Sequence, residues 1–173
     1  MKKSHITMLT IFLAMAVLLV VAWLALPSSF FFGGESPAEP SGRYAVWEID
    51  ARCFKLEVAD TPQLRRQGLS GRADLAADRG MLFTYNLRGE YGFWMRGMNF
   101  PLDIIWLDGD DEVVTIKSSV SADSYPEVFY PDDYAKKIIE VSAGSANELG
   151  VKPGDLLNVS AATTTPPVDC RVL

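Results

Sequence analysis

Histidine is almost absent from this sequence. The 173 residues contain one histidine, His5, which lies near the N-terminus. Catalytic triads of the Ser-His-Asp type, Cys-His pairs and His-liganded metal sites all need an imidazole. We therefore expect none of these sites in the rest of the chain, and we predict neither a metal nor a cofactor.

Basic side chains are also too few for a nucleic-acid-binding protein. Sixteen lysines and arginines stand against 22 aspartates and glutamates, which gives a formal net charge of −6. Binding to DNA or RNA depends on basic side chains that neutralise phosphates. The composition therefore excludes nucleic acid as an expected partner, and the length fits one domain with an appendage.

One long segment lacks charged residues altogether. Residues 6–26 are uncharged, and as a helix they would cross roughly 30 Å, the hydrocarbon thickness of a bilayer. Lys2 and Lys3 precede the segment, which predicts a cytoplasmic N-terminus and an extracytoplasmic domain. We predict a single-pass membrane anchor over residues 1–26. The alternative is a cleaved signal peptide and a secreted domain.

Composition divides the rest of the chain into three parts. Residues 27–43 are rich in Ser, Pro and Gly, which is typical of a linker, and a single domain is predicted over residues 44–162 before a tail at 163–173. Cys53 and Cys170 would both lie outside the cytoplasm, where a disulfide can persist. Two alternatives stay open: a disulfide between these cysteines, or two separate buried thiols.

Short apolar and alternating segments predict a mainly β domain. Strands are predicted at residues 46–49, 54–58, 81–85, 91–95, 101–107, 112–117, 137–141 and 156–159. Short helices are predicted at residues 61–67 and 142–149. Helices this short cannot cover a parallel sheet, so we expect an antiparallel β-sandwich or a barrel-like sheet.

An ordered series of motifs carries a resemblance to a known family. The series comprises Gly68-Leu69, Arg72, Gly80-Met81-Leu82-Phe83, Phe93-Trp94-Met95-Arg96, Asn99 to Asp108, Glu140-Val141, Ala143-Gly144, Gly150-Val151-Lys152 and Pro153-Gly154-Asp155. Over about residues 54–160 the chain resembles the family called domain of unknown function 192 (DUF 192). The resemblance implies a compact, mainly β domain, often exported or membrane-tethered, without an established activity.

The chain departs from the pattern of this family at two places. Ser70 stands where the family usually has a methionine, and Arg96-Gly97 stands where it usually has Lys-Asn. If the Lys-Asn pair of the family contacts a ligand, Gly97 lacks the amide that would make the contact.

Asp103 is the most informative single residue, because it lies inside an otherwise apolar strand. An ionised carboxylate there needs a partner or several hydrogen-bond donors. Arg72 and Arg96 belong to the matching motifs and are the candidate cations. The functional hypothesis is a pocket in which Asp103 and an arginine bind a ligand. The structural alternative is an ion pair that fixes the strand register.

Phe93 and Trp94 are adjacent, so one of them should face away from the core if the segment is extended. An outward Trp94 beside Arg96 would form a stacking platform for a sugar or another flat group. In the alternative, both faces of the segment are covered. The predicted ligand-binding residues are thus Arg72, Trp94, Arg96 and Asp103.

Two further acidic patterns have weaker interpretations. Glu140 also lies among apolar residues and could pair with Asp103 as the two carboxylates of a glycoside hydrolase. Asp108, Asp110 and Glu112 resemble the start of a calcium loop, but the glycine and glutamate expected further along are missing, so a hairpin turn explains them better.

The sequence does not reveal a reaction. The function that we predict is a membrane-tethered extracytoplasmic module that binds a small ligand or a component of the cell envelope. The alternatives are a hydrolase that uses Asp103 and Glu140, and a structural partner in an assembly of envelope proteins.

Overall fold

The computed structural model describes residues 42–49 and 52–165. The predicted anchor at 6–26, most of the predicted linker and Cys170 lie outside the described residues. Within the described ranges, no helix is long and apolar enough to cross a membrane.

The described residues form seven strands and three short helices. The strands are β1 (Tyr44–Ile49), β2 (Arg52–Ala59), β3 (Arg79–Gly89), β4 (Leu102–Leu107), β5 (Val113–Val120), β6 (Ala135–Ser142) and β7 (Asn158–Val159). The helices are α1 (Pro62–Gln67), a 3₁₀ turn (Ala122–Ser124) and α2 (Ser145–Glu148). The prediction of a mainly β domain with short helices is confirmed.

All seven strands belong to one sheet, in the order β5-β4-β6-β3-β2-β1-β7. Neighbouring strands are antiparallel except β2 and β3, which are parallel. The expectation of purely antiparallel pairing is therefore wrong at this one place. Helix α1 lies in the connection between β2 and β3, and this crossover lets the two strands run in the same direction.

The sheet curls until its two ends meet at one side. Val113, at the start of β5, donates its backbone N–H to the Asp155 carbonyl at 2.8 Å, and Glu112 forms a bridge with Leu156 just before β7. The curled sheet corresponds to the barrel-like alternative. The sandwich alternative is wrong, because the seven strands form one sheet and not two.

Two hydrophobic clusters lie on the opposite faces of this sheet. The Trp47 cluster includes Trp47, Leu56, Leu82, Ile105, Leu107, Ile139 and Val141. The Trp106 cluster includes Met81, Phe83, Phe93, Ile104, Trp106 and Ile138. Successive residues of a strand alternate between the clusters, as the pleat requires. All six residues of β4 are buried because both of its faces are covered.

Local signals explain the bounds of α1. The Thr61 hydroxyl accepts a hydrogen bond from the Leu64 N–H, Pro62 occupies the first turn, and the Gly68 N–H donates to the Leu64 carbonyl at 2.8 Å. Gly68 has a φ of +51°, which favours glycine at a helix C-terminus. The helix predicted at 61–67 is confirmed. Its end starts the loop that covers the Trp106 cluster, with Leu69 buried in that cluster.

Three predicted elements are shorter than predicted or absent. The strand predicted at 156–159 is limited to Asn158–Val159. The segment predicted as a strand at 91–95 forms only an isolated bridge between Phe93 and Phe129. The helix predicted at 142–149 is shorter, because Ser142 still belongs to β6 and Gly144 turns the chain with a φ of +87°.

Candidate functional site

A cavity of about 300 Å³ opens on the Trp106 face of the sheet. We call it the Glu140 cavity. The residues that matter for its chemistry are Arg65 and Arg66 of α1, Tyr85 of β3, Phe93, Trp94 and Glu140. Helix α1 and its loop form one wall, and the segment around Trp94 forms another.

Glu140 places a carboxyl group in the lining of this cavity. Its cross-strand neighbours are Met81 on β3 and Ile104 on β4, so it shares the face of the Trp106 cluster. The residue is only 5% exposed. No hydrogen bond joins its carboxyl group to another described residue, and its oxygens reach the open space of the cavity. Burial raises the pKa of Glu140 to about 8, against an opposing effect of the Arg72 cation. The carboxyl group is therefore mostly protonated at neutral pH.

Phe93 and Trp94 differ in burial, although both line the Glu140 cavity. Phe93 is buried and makes edge contacts with the rings of Phe83 and Trp106, at centroid distances of 4.8 and 5.8 Å. Trp94 is 43% exposed and lines the Glu140 cavity. Its use as a stacking platform stays a prediction.

Helix α1 places the Arg65 cation in the wall of the cavity, and several contacts hold its side chain in place. The Arg65 guanidinium donates to the carbonyls of Asp60 at 2.7 Å and Thr84 at 2.9 Å. It also lies 4.6 Å from the centroid of the Tyr85 ring, which stacks on Tyr91. Burial raises the pKa of Tyr85, while the Arg65 cation acts in the opposite direction. Tyr85 therefore remains neutral when Glu140 titrates.

Arg72 is held by Glu57 on β2. Its two terminal nitrogens donate to the two carboxylate oxygens of Glu57 at 2.6 and 2.8 Å. The hydrogen bond with Glu57 raises the pKa of Arg72. Both residues line a smaller cavity of about 220 Å³, which shares Gln67 and Gly68 with the Glu140 cavity. Arg72 thus acts on Glu140 electrostatically from the adjoining cavity.

Asp103 lies on the other face of the sheet. Its cross-strand partner on β6 is Val141, a member of the Trp47 cluster. The buried carboxylate accepts hydrogen bonds from the backbone N–H groups of Ser119 at 2.7 Å, Gly144 at 3.0 Å and Ala146 at 2.8 Å. Among the described residues, neither Arg72 nor Arg96 hydrogen-bonds to it, so the expected ion pair is replaced by backbone donors.

The four predicted ligand-binding residues therefore do not line one pocket. Trp94 lines the Glu140 cavity, Arg72 lines the smaller cavity, and Asp103 faces the Trp47 cluster. The Arg96 side chain is exposed, and its carbonyl accepts a hydrogen bond from the Ser70 hydroxyl at 2.8 Å.

The carboxylate pair of the hydrolase alternative is excluded by the same register. Asp103 is opposite Val141 and Ile104 is opposite Glu140, so the two carboxyl groups point to opposite faces. Glycoside hydrolysis needs both carboxyl groups beside one scissile bond. The prediction that Asp103 and Glu140 act together is therefore wrong.

The departures from the family pattern have a structural explanation. Gly97 has a φ of +69°, a conformation that glycine and asparagine adopt more readily than other residues. Its carbonyl accepts from the Gly71 N–H at 2.8 Å, while Ser70 bonds to Arg96 beside it. The turn is thus compatible with either Gly or Asn.

The acidic segment at 108–112 forms a hairpin turn. One Asp108 oxygen accepts from the backbone N–H groups of Asp110 at 2.8 Å and Glu112 at 3.0 Å. In the parts of the chain that the structure describes, no group of three His, Cys, Asp or Glu side chains is arranged to hold a metal ion.

Cys53 is buried in β2 and disulfide-bonded. The predicted partner, Cys170, lies outside the described residues, so that pairing stays a prediction. The predicted boundary between the domain and the tail lies between residues 162 and 163. There, Thr163 exchanges two backbone hydrogen bonds with Tyr44, each at 2.7 Å. The first residue of the predicted tail is therefore attached to β1.

Arg65, Arg66 and Tyr85 are the residues of the cavity that sequence reasoning missed. The adjacent arginines in the last turn of α1 were the available signal, because basic residues are scarce in this chain. Nothing local to Tyr85 distinguishes it from a packing residue.

Comparisons with known proteins give one family model and similar solved structures. The family model DUF192, described as "Uncharacterized ACR", matches residues 45–159. A crystal structure of a protein from Sinorhizobium meliloti 1021, described as a candidate transcription regulator, is 29% identical with a TM-score of 0.63 and covers 73% of this chain and 98% of its own. A protein of unknown function from Novosphingobium aromaticivorans DSM 12444 is 28% identical with a TM-score of 0.60, covering 68% of this chain and 84% of its own. No curated protein matches.

Proposed function

The chain belongs to the DUF192 family, and we propose that this member is a binding module that takes a small ligand in the Glu140 cavity. The observation that carries the proposal is the Glu140 carboxyl group, which is 5% exposed and lines the cavity, with oxygens that reach the open space of the cavity and no donor among the described residues. A buried polar group is normally hydrogen-bonded. A ligand that fills the cavity would supply the missing partner.

The other walls of the cavity suit a bound molecule. Trp94 presents a partly exposed indole ring on one side, and Tyr85 and Phe93 add aromatic surface. Small-ligand sites are commonly apolar clefts with a few convergent polar groups. About 300 Å³ lies at the lower end of the range for such sites, which favours a ligand of roughly one or two rings.

Binding suits this site better than catalysis. Glu140 is the only carboxyl group among the described lining residues, and the one histidine of the chain, His5, is not among them. General acid–base chemistry on a glycoside needs a second carboxyl group at the same bond. Asp103 cannot provide it from the opposite face of the sheet.

The location of the domain is a proposal from the sequence. Residues 6–26 would hold the domain on the outer side of the membrane, after a cytoplasmic N-terminus. Protease added to spheroplasts should then digest a membrane-bound form of the full chain. A shortened form in the medium would favour the secreted alternative.

A thermal-shift screen of the full chain in detergent tests the binding proposal. The panel contains organic acids, amines, mono- and oligosaccharides, cell-wall fragments and nucleotides, each compared with a detergent-only control. A ligand at 100 times its dissociation constant should add about 2.7 kcal/mol to the free energy of unfolding, a shift of a few degrees.

Two alanine variants test whether a ligand found in the screen binds in the Glu140 cavity. Trp94→Ala should remove the shift, whereas Leu156→Ala should retain it, because Leu156 is 73% exposed and does not line the cavity. A shift that survives both Trp94→Ala and Glu140→Ala would contradict the proposal.

A protein partner in the cell envelope is the second candidate function. Tyr125, Tyr130 and Tyr134 are each more than half exposed, and exposed aromatic rings are common at protein interfaces. Cross-linking in membranes, with and without Tyr130→Ser, would test this candidate. An unchanged cross-linking pattern in the variant would count against it.

A further inference from the structure

We propose that the Glu140 cavity recognises a small organic acid, which is a molecule with one carboxylate and a flat or apolar body. This inference rests on the proposed function and names the class of ligand. In the bound state, the ligand carboxylate accepts a hydrogen bond from the protonated Glu140 carboxyl group, and the body of the ligand lies against Trp94.

The charge of the lining favours an anion. Arg65 and Arg66 both line the cavity, and Glu140 is the only acidic residue among its described lining. With Glu140 protonated, the charge that acts on a ligand is that of Arg65, whose contacts among the described residues are two backbone carbonyls and the Tyr85 ring and include no carboxylate. An anionic ligand would be attracted to the Arg65 guanidinium, whereas an ammonium group would be repelled by it.

Glu140 offers a donor that matches a carboxylate. A protonated carboxyl group has one O–H donor, and a carboxylate is an acceptor only, so the two can share one proton. Hydrogen bonds of this charged kind are among the shorter and stronger ones in proteins. A neutral amide or alcohol could also accept the hydrogen bond, but it would gain no charge attraction from Arg65.

Two neighbours of Glu140, Arg72 and Tyr85, have a pKa that is raised above the ordinary value. The charged or titratable groups that face Glu140 from the packed elements are Arg65 and Arg66 of α1, Arg72 of the following loop, Tyr85 of β3 and Glu57 of β2. Guanidinium groups are charged throughout the neutral and mildly basic range, and burial raises the pKa of Tyr85 above its ordinary value of 10.0. A change of affinity between pH 6 and pH 9.5 would therefore report Glu140.

Three compounds with the same ring test the inference on the full chain in detergent. Phenylacetate, phenylacetamide and phenethylamine carry charges of −1, 0 and +1 on similar bodies. Calorimetric titration at pH 6 should give phenylacetate the highest affinity. At pH 9.5 its affinity should fall by roughly 30-fold, since only a few per cent of a carboxyl group with a pKa of about 8 keeps its proton there.

Variants separate the two contributions. Glu140→Gln keeps an N–H donor in place of the O–H, so phenylacetate should still bind, with an affinity that no longer changes between pH 6 and pH 9.5. Arg65→Gln should weaken phenylacetate several-fold and leave phenylacetamide unchanged, because only the anion loses an attraction to the guanidinium group. Lys152→Gln is the charge-matched control, because Lys152 is 76% exposed and does not line the cavity.

The inference and the proposed function can fail separately. Tighter binding of phenethylamine than of phenylacetate, or affinity of the wild type that does not change with pH, would overturn the inference. Absence of binding by all three compounds at millimolar concentration would overturn it too. The binding proposal would stand in those cases if another compound of the wider panel shifted the wild type and not Trp94→Ala.

Discussion

The carboxylate of Asp103 accepts a hydrogen bond from the backbone N–H of Ala146 at 2.8 Å, 43 residues later in the chain. This contact joins β4 to the first turn of α2. Two further donors, the N–H groups of Ser119 and Gly144, complete the coordination of the buried carboxylate. Asp103 therefore connects three segments of the Trp47 face, and its position inside an apolar strand reflects this structural role.

Asp103→Ala should strongly destabilise the domain. Each buried N–H that loses its acceptor costs about 1–3 kcal/mol, so we expect a loss of at least about 3 kcal/mol in the free energy of unfolding. Asp103→Asn keeps one acceptor oxygen and should lose less. Urea denaturation measures both. An Asp103→Asn variant with normal stability but without binding of any cavity ligand would contradict the placement of Asp103 on the Trp47 face.

Glu140 should make the domain less stable as the pH rises through the neutral range. Its pKa is raised from 4.5 to about 8 in the folded state, so the folded protein holds this proton after the unfolded chain has released it. Stability from this group is complete below about pH 4.5 and falls by up to ~1.4 kcal/mol per pH unit until about pH 8.

The difference between the wild type and Glu140→Gln isolates this effect. The variant lacks the titrating group, so its stability should decline less than that of the wild type between pH 5 and pH 8 and exceed it at pH 8. Denaturant midpoints at four pH values in this range give the comparison. Parallel curves for the two proteins would show that Glu140 is not protonated in the folded state.

Arg72 should control the pKa of Glu140 from the adjoining cavity. Its positive charge lowers the pKa of Glu140 against the larger effect of burial, so Arg72→Met should raise that pKa further. The same variant breaks the two-pronged contact with Glu57, at a cost of about 1–2 kcal/mol for this half-buried pair.

Arg72→Lys is the matched control for this prediction. It retains the charge and loses the fork geometry, so we expect a loss of stability with little change in the pKa of Glu140. Titration followed by carbon NMR of the side-chain carboxyls measures the pKa directly. An identical pKa of Glu140 in the wild type and in Arg72→Met would contradict the electrostatic link.

The elements of the fold could be predicted from local sequence, but their arrangement could not. Alternation of apolar residues predicted the strands, and Thr61, Pro62 and Gly68 predicted α1, because these signals depend on neighbours in the chain. The parallel pairing of β2 with β3 and the meeting of β5 with the segment before β7 depend on contacts distant in sequence.

The candidate site was predictable only in part. The exposure of one residue of the Phe93-Trp94 pair was predicted from strand alternation, although the segment forms a single β-bridge and no strand. The partners of Asp103 were not predictable, because any residue can supply a backbone N–H. The strand register determines whether Glu140 and Asp103 share a face of the sheet. The two residues lie on neighbouring strands, and a shift of one residue would have placed them on the same face.

Gly80 should tolerate no side chain. A Cβ at this position would lie 2.5 Å from the Glu140 carbonyl oxygen and 2.8 Å from the Leu56 side chain. Gly80→Ala should therefore separate β3 from β6 and reduce stability by about 2 kcal/mol or more. Gly71→Ala is the control: its Cβ would meet nothing within 4 Å, and its φ of +79° alone should cost about 1–2 kcal/mol. Equal losses in thermal denaturation would contradict the close approach.

Trp94 and Phe93 form a natural pair for separating binding from packing. Phe93 is buried between Phe83 and Trp106, so Phe93→Ala should cost about 3–5 kcal/mol of stability. Trp94 is 43% exposed, and Trp94→Ala should change stability by less than about 1 kcal/mol.

Trp94→Ala, the variant that should keep its stability, should lose affinity for the ligand. Trp94→Ala removes the ring against which the ligand body is proposed to lie, so its affinity for phenylacetate should fall at least tenfold, as expected for the loss of a stacking contact of about 1.4 kcal/mol or more. Urea denaturation and calorimetric titration on the same preparations give both quantities. If Trp94→Ala were as unstable as Phe93→Ala, the indole would serve packing. If it were stable and bound phenylacetate normally, the ligand would not touch Trp94. Only normal stability with reduced affinity fits a binding surface.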